Sequence, residues 1–179
     1  TAGYSTGEDY ENYTEDIFVG YRYFETIPGA AEKVNYPFGF GLSYTSFAYS
    51  DLTVKYNADK DQYEISVKVT NTGSVAGREV VQCYISAPDG KMEKAYQELC
   101  AYTKTDVIEP GAKEEVIISF DLTDMASYCE KCAKYVLEPG KYVVRVGNSS
   151  RNTKAVAVVS IDNDIVVDES ITYKEAVIL

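Results

Sequence analysis

The residues QYEISVKVT (62–70) alternate apolar and polar positions with a period of two. Tyr63, Ile65, Val67 and Val69 share one face, while Glu64 and Lys68 take the other. A helix needs a period near 3.6, so this segment reads as a strand with one face in a core and one in water. The same signal recurs in EEVIISF (114–120), where Val116, Ile118 and Phe120 oppose Ile117 and Ser119. REVVQCYISAP (78–88), residues 96–106 and residues 154–161 add further strands, and NTGSVAG (71–77) is a turn. KYVLEPGKYVVRVG (134–147) reads as two strands divided by a Glu-Pro-Gly turn, with Pro139 presetting φ and Gly140 taking the conformation behind it. DLTDMASYCE (121–130) reads as a loop or one short turn, capped by Asp121 or Thr123. Strands about every eight to twelve residues with turns between them predict an all-β, antiparallel sandwich of roughly seven strands over 48–162.

At 179 residues the chain can bury such a core without metals or disulfides. Its net charge of -11 argues against nucleic acid and anionic membrane surfaces, since both need clustered Lys and Arg. No apolar run is long enough to predict a membrane-spanning helix. The first sixteen residues lack the basic and apolar regions of a signal peptide. Histidine is absent, which removes any imidazole base, Ser-His-Asp triad or histidine-bearing metal site from this chain. No cofactor or metal is expected.

Four cysteines occur, at 83, 100, 129 and 132. Cys83 alternates with Val81 and Ile85, and so should point into the core as a small hydrophobe. Cys129 and Cys132 form CEKC, which allows a metal site, a disulfide or ordinary reduced thiols. A second short-spaced couple and a thioredoxin-type setting are both missing, so reduced thiols are the expectation. The triplets NYT (12–14) and NSS (148–150) fit the N-glycosylation pattern, but such triplets arise often by chance.

Ahead of the strands lies a different composition. Residues 1–16 are acidic and Tyr-rich and read as a loop or the edge of a domain. IFVGYRYF (17–24) is an aromatic, β-branched run suited to a strand or an extended segment, and left unburied it would present an apolar edge. After the Pro28-Gly29 turn comes YPFGFGLSYTSF (36–47). Gly39 and Gly41 permit unusual dihedrals or close backbone approach, Pro37 restrains the entry, and Phe38, Phe40, Tyr44 and Phe47 surround them with apolar area. These residues, with Leu42 and the upstream Phe18, Tyr21, Arg22 and Tyr23, are the candidates for packing against a neighbouring domain. Arg22 is the orienting cation of the set, able to hold a carboxylate with its fork.

The ordered segments EDIFVGYRYFE (15–25), YPFGFGLSYTSFAYSDL (36–52), VTNTGSVAGREVVQCYIS (69–86) and LEPGKYVVRVGNSS (137–150) resemble the C-terminal portion of the family 3 glycoside hydrolases, the β-glucosidase family. That resemblance implies an immunoglobulin-like sandwich of the fibronectin type III-like kind at 48–162. It also implies a junction at 36–47, and a terminal segment of an α/β sandwich domain at 1–35. Residues 163–179 read as an extra strand, a frayed tail or a linker to a following domain, the last because some relatives are permuted.

The same resemblance places the nucleophilic Asp on an (α/β)8 barrel and the acid/base Glu further upstream in the α/β sandwich domain. Neither has a counterpart here, and Glu15 and Asp16 do not match the catalytic position. The chain is expected to carry no catalytic residue and to support barrel and α/β sandwich domains, in cis or on another chain, that act on a β-linked glycoside. The loop APDGKMEKAYQ (87–97) reads as ordinary solvated surface, with an approach to a neighbour as the sharper alternative. The competing function is an independent carbohydrate-binding or adhesion module, because a sandwich fold hosts many roles.

Overall fold

The computed structural model describes residues 5–6 and 11–167. Its strands are β1 (Ser5–Thr6), β2 (Glu11–Asn12), β3 (Phe47–Asn57), β4 (Gln62–Asn71), β5 (Val80–Ser86) and β6 (Glu98–Lys104). They continue as β7 (Lys113–Asp121), β8 (Ser127–Cys129), β9 (Lys134–Leu137), β10 (Gly140–Gly147), β11 (Thr153–Ile161) and β12 (Ile165–Val167). Helix α1 spans Tyr21–Thr26, and short 3-10 turns cover Ala31–Lys33 and Leu122–Met125. A three-stranded sheet β3-β4-β7 packs on a four-stranded sheet β11-β10-β5-β6, every pairing antiparallel. The predicted sandwich is thus formed, with a smaller sheet β12-β9-β8 beside it.

Alternation explains the inner face of β4 and β7. Ile65, Val67 and Val69 are fully buried, and Val116, Ile118 and Phe120 meet them from the next strand while Ile117 faces out. Each such side chain contributes about 1.5–3 kcal/mol by leaving water. Val81, Cys83, Ile85, Val144 and Val146 close the core from the opposite sheet, with Cys83 pointing inward as expected.

β3 keeps its face by breaking its own rhythm. Phe47 and Tyr49 pack on the core, yet so do Leu52 and Val54, which have the opposite parity. Between Ser50 and Thr53 the partner strand advances only from Lys68 to Ser66, so one residue of β3 is extra. Asp51 takes that position at φ 49, a β-bulge that returns Leu52 and Val54 to the core side.

Three expectations need correction. IFVGYRYF is not a strand: residues 21–26 form α1, entered at Gly20 with φ 59 and secured by bonds from Phe24 N to Gly20 O and Ile27 N to Tyr23 O. Polar contacts along one helical face, described below, override the β propensity of this run. Second, Cys129 and Cys132 are not reduced thiols but are disulfide-bonded across the β8–β9 turn. The chain bends there so tightly that the two positions meet, which spacing alone does not reveal. Third, the 87–97 loop is not an ordinary solvated loop, because Ala95 and Gln97 are buried and Lys94 pairs with the buried Glu138.

The Glu-Pro-Gly turn divides two strands as predicted, but it is a corner between sheets. β9 pairs with β8 and β12, whereas β10 joins the four-stranded sheet. Gly140 sits at φ 144, and a Cβ there would lie 2.7 Å from Pro88, so the corner leaves no room for a side chain. Asp121 precedes the 3-10 turn as its cap residue, and its amide donates to Asp124 Oδ2 at 3.1 Å. Of the tail at 163–179, β12 is described; residues 168–179 lie outside the described residues, as do 1–4 and 7–10 of the N-terminal loop.

Candidate interaction surface

VVQCYI in β5 does not alternate, and the structure gives the reason: residues 81–85 are all buried. One side faces the sandwich core. The other, carrying Gln82 and Tyr84, lies beneath the N-terminal segment.

Helix α1 docks there through positions i, i+1, i+4 and i+5, which share a helical face. The Tyr21 hydroxyl accepts from Leu99 N at 2.8 Å, and its ring meets Tyr84 edge-on at 6.3 Å. Arg22 Nη2 pairs with Glu98 Oε2 at 2.8 Å. Glu25 Oε1 accepts from Ser150 Oγ and Arg151 Nε, both at 3.0 Å. Thr26 Oγ1 accepts the Tyr96 amide at 2.8 Å. At about 1 kcal/mol for a typical net hydrogen bond, this face holds the helix to β6 and the 148–151 loop without a large apolar patch.

The junction continues over the same face. Phe40 N donates to Pro37 O at 3.1 Å, forming a turn that places Gly39 at φ 78. Phe38 stacks on Tyr21 with ring centroids 4.3 Å apart, and its carbonyl accepts Ser150 N at 2.8 Å. Gln82 Nε2 donates to Gly39 O at 3.0 Å and to Asn148 O at 2.8 Å, while its Oε1 accepts the Tyr84 hydroxyl at 2.6 Å. Tyr36 stacks on Phe40 at 4.9 Å.

A second clamp follows. Thr45 Oγ1 donates to Asn71 Oδ1 at 2.6 Å, and Ser46 O accepts Thr72 N at 2.8 Å. Asn71 is fully buried and donates through Nδ2 to Val75 O and Ile108 O, both at 2.8 Å. The chain is therefore held at Phe38–Gly39 and again at Thr45–Ser46. Between the holds it projects outward: Leu42 is 92% exposed and Tyr44 97% exposed. Gly41 meets nothing within 4 Å where a Cβ would stand, so no described residue demands glycine there.

The sequence candidates thus separate into two sets. Tyr21, Arg22, Phe38, Gly39 and Phe47 are spent on holding the segment to the sandwich, Phe47 as the first residue of β3 against the core, while Pro37 only closes the local turn to Phe40. Tyr23, Phe40, Leu42 and Tyr44 keep exposed rings or side chains, Gly41 is open, and Phe18 is half-buried. Sequence reading missed Gln82, Tyr84, Glu25, Asn71 and the 148–151 loop. The usable signals were the absence of alternation in VVQCYI and the polar Arg22, Glu25 and Thr26 at helical spacing.

Beside this face the 87–97 loop is pinned from below. Glu138 takes the amides of Lys91 at 2.6 Å and Met92 at 3.3 Å, and it pairs with the Lys94 ammonium. Burial pushes the Glu138 carboxyl up, but those donors outweigh it and hold it below the usual carboxylate range. Arg145 packs over the Tyr96 ring, 5.2 Å from its centroid, and its Nε donates to Ser86 Oγ at 3.0 Å. Burial, then the neighbouring Tyr21 and Glu25, push the Tyr84 phenol well above its ordinary range. Burial likewise raises Glu79. The NSS triplet is occupied structurally, since Asn148 Oδ1 accepts Asn152 Nδ2 at 2.8 Å and Ser150 is buried.

Two antiparallel layers in three-plus-four strand order, sheathed on one outer face by a helix and an aromatic arm, define the class, and residues 79–150 match the family described as fibronectin type III-like domain. Comparison of the whole chain then narrows that class. It is 47% identical over 171 residues to β-glucosidase A of Butyrivibrio fibrisolvens, covering 86% of this chain and 21% of that protein. It superposes on a β-glucosidase from Paenibacillus barengoltzii with a TM-score of 0.80 at 41% identity, covering 88% of this chain and 18% of that one. The family 3 glycoside hydrolase β-glucosidase of Bifidobacterium adolescentis gives a TM-score of 0.77 at 35% identity, covering 94% and 25%. The chain corresponds to the C-terminal portion of family 3 glycoside hydrolases that carries the fibronectin type III-like domain, as found in these β-glucosidases. It spans about a fifth of the length of the curated relatives it matches.

Proposed function

We propose that this chain is the noncatalytic, structural portion of a retaining, exo-acting β-glycosidase, a β-glucosidase in specificity, and that it packs against and supports the catalytic domains. The observation that carries this reading is the placement of Leu42 and Tyr44. They are almost wholly exposed, yet the chain on either side is fixed by Gln82 and Asn71. A mobile loop would hide or lose such side chains, whereas a braced one presents them to a surface that fits. Gly41, open here, then admits the close approach of that surface.

In this reading residues 1–35 belong with the α/β sandwich domain, 36–47 form the junction, 48–162 are the β-sandwich, and 163–179 are a tail or a linker to a following domain. A retaining glycosidase needs two carboxyl groups about 5–5.5 Å apart, one attacking the anomeric carbon and one protonating the leaving oxygen. Two carboxylates beside the arm have other work: Glu25 binds Ser150 and Arg151, and Glu98 binds Arg22. In this reading the reacting pair belongs to the barrel and α/β sandwich domains, as the family resemblance implies.

The test has two arms. Alone, the chain should not hydrolyse an aryl β-glucoside, and the Leu42→Ser/Tyr44→Ser variant should fold with stability changed by less than about 0.5 kcal/mol. In the intact enzyme that carries the chain, the same variant should lower thermal stability and turnover together. Hydrolysis by the chain alone, or an intact enzyme indifferent to the variant, would overturn the proposal. Saturable calorimetric binding of oligosaccharides by the chain alone would assign it instead as an independent carbohydrate-binding or adhesion module.

A further inference from the structure

The Cys129–Cys132 disulfide closes a four-residue ring at the tip of the β8–β9 hairpin. That hairpin is short: Ser127↔Val136, Tyr128↔Tyr135 and Cys129↔Lys134 are its only paired positions. Its turn ends at Ala133 with φ 50, a left-handed conformation that a residue with a Cβ resists. A two-stranded ribbon of this length does not stand by itself in water. Yet β9 is the middle strand of its sheet and holds β12 through Leu137↔Ile165, Val136↔Val166 and Tyr135↔Val167. The ring is thus the tie at the weak end of a sheet that fastens the last described strand.

The two cysteine pairs of the protein have opposite settings. Cys83 is wholly buried and Cys100 half-buried, both free, with the Cys100 thiol donating to Cys83 O at 3.3 Å. Cys132 is exposed and Cys129 half-buried, at the rim of the molecule. The Cys132 amide donates to Cys129 Sγ at 3.3 Å, which suits Cys129 to be the sulfur that leaves when the exposed Cys132 is attacked.

We propose that Cys129–Cys132 is a thiol–disulfide exchange site for soluble dithiols, and that its redox state sets the order of the β8–β9–β12 sheet. A thiolate of the dithiol attacks the exposed Cys132 Sγ, the protein S–S bond breaks, and Cys129 leaves as a thiolate that takes a proton. The second thiol of the reagent then attacks the mixed disulfide, releasing Cys132 as a thiol and the reagent as a cyclic disulfide. Two electrons and two protons pass to the protein.

The test uses the full chain, air-oxidised and then equilibrated with graded ratios of reduced to oxidised dithiothreitol, trapped by alkylation and mapped by mass spectrometry. Cys129 and Cys132 should become labelled together, as one two-electron step, while Cys83 and Cys100 stay unlabelled in the folded protein. Hydrogen exchange in peptides covering β8, β9 and β12 should quicken roughly tenfold on reduction, with β3, β4 and β7 unchanged. The Cys129→Ser/Cys132→Ser variant should match the reduced form and ignore the reagent. A chain whose outer cysteines stay fully alkylatable after air oxidation would overturn the proposal. So would reduction that leaves exchange in β8, β9 and β12 unaltered, a result readable without the variant.

Discussion

The Gln82 side chain occupies the space where Gly39 would carry a Cβ: that atom would lie 2.1 Å from Gln82 Oε1. Gln82 cannot simply swing away, because its amide is fixed by Gly39 O, Asn148 O and the Tyr84 hydroxyl. Gly39→Ala should therefore cost about 3 kcal/mol, part from φ 78 and part from displacing Gln82. In a Gln82→Ala background only the conformational part, about 1–2 kcal/mol, should remain. Urea denaturation of the four proteins in this cycle measures the difference. Additive costs would show that the two residues do not share the site.

Glu138 and Lys94 form a buried ion pair, with side chains 4% and 7% exposed. Glu138→Gln should destabilise the chain by about 3 kcal/mol at neutral pH, because the Lys94 charge is left without its partner. The folded carboxyl titrates below its unfolded value, so its contribution is fully present above the unfolded pKa of about 4.3. It is lost as pH falls through the lower, folded value. Stability measured from pH 7 down to pH 3 should fall less steeply in Glu138→Gln than in the parent. Parallel curves would remove Glu138 from the acid limb.

Tyr49 presents the opposite case. Its hydroxyl is buried without a hydrogen-bond partner among the described residues, and burial, then the Glu79 charge, push its phenol far above the ordinary range. Tyr49→Phe should stabilise the fold by about 0.5–1 kcal/mol at neutral pH, since no bond is lost and a desolvated polar group is removed. Because the folded phenol pKa is raised, the unfolded phenol ionises first, so stability is unaffected by this group below about pH 10 and falls as pH rises beyond that value. The variant should show a shallower alkaline limb in urea melts between pH 8 and pH 11. A loss of stability at pH 7 would contradict the account.

Deleting Asp51 should be far worse than any substitution there. Without the extra residue, Leu52 and Val54 can no longer share a face with Phe47 and Tyr49. The cost should reach about 4 kcal/mol or abolish folding, as two or more core side chains turn to water. Asp51→Ala keeps the residue count and loses an exposed pair to Lys68 together with some ease at φ 49. It should cost far less than the deletion. Circular dichroism and urea melts of both proteins separate the outcomes.

Much of the sandwich was legible because period-two alternation depends only on neighbours along the strand. Ile65, Val67 and Val69 in β4 and Val116, Ile118 and Phe120 in β7 were placed inward from that rhythm, as the structure has them. The rhythm fails where a strand is covered twice or changes phase. VVQCYI gave no alternation because α1 and the junction cover its outer face, and SDL in β3 hid a bulge. IFVGYRYF misled for a related reason, since its β-branched and aromatic residues favour a strand while contacts far along the chain, at Leu99, Ser150 and Arg151, reward a helix. The glycine- and aromatic-rich junction was legible as a special segment, but not which of its residues hold and which project.

By itself the sequence determined the layers: alternating side chains can bury only one face of a strand, and turn residues fix where each strand must end. The absence of histidine and the acid-rich surface were also settled there, as matters of composition. Tertiary structure alone decided that Gln82 would lock Gly39, that Glu138 would anchor the 87–97 loop, and that Cys129 would meet Cys132. Each of those depends on the shape of a turn or on groups distant in sequence brought within bonding distance, and one-dimensional spacing carries no record of that approach.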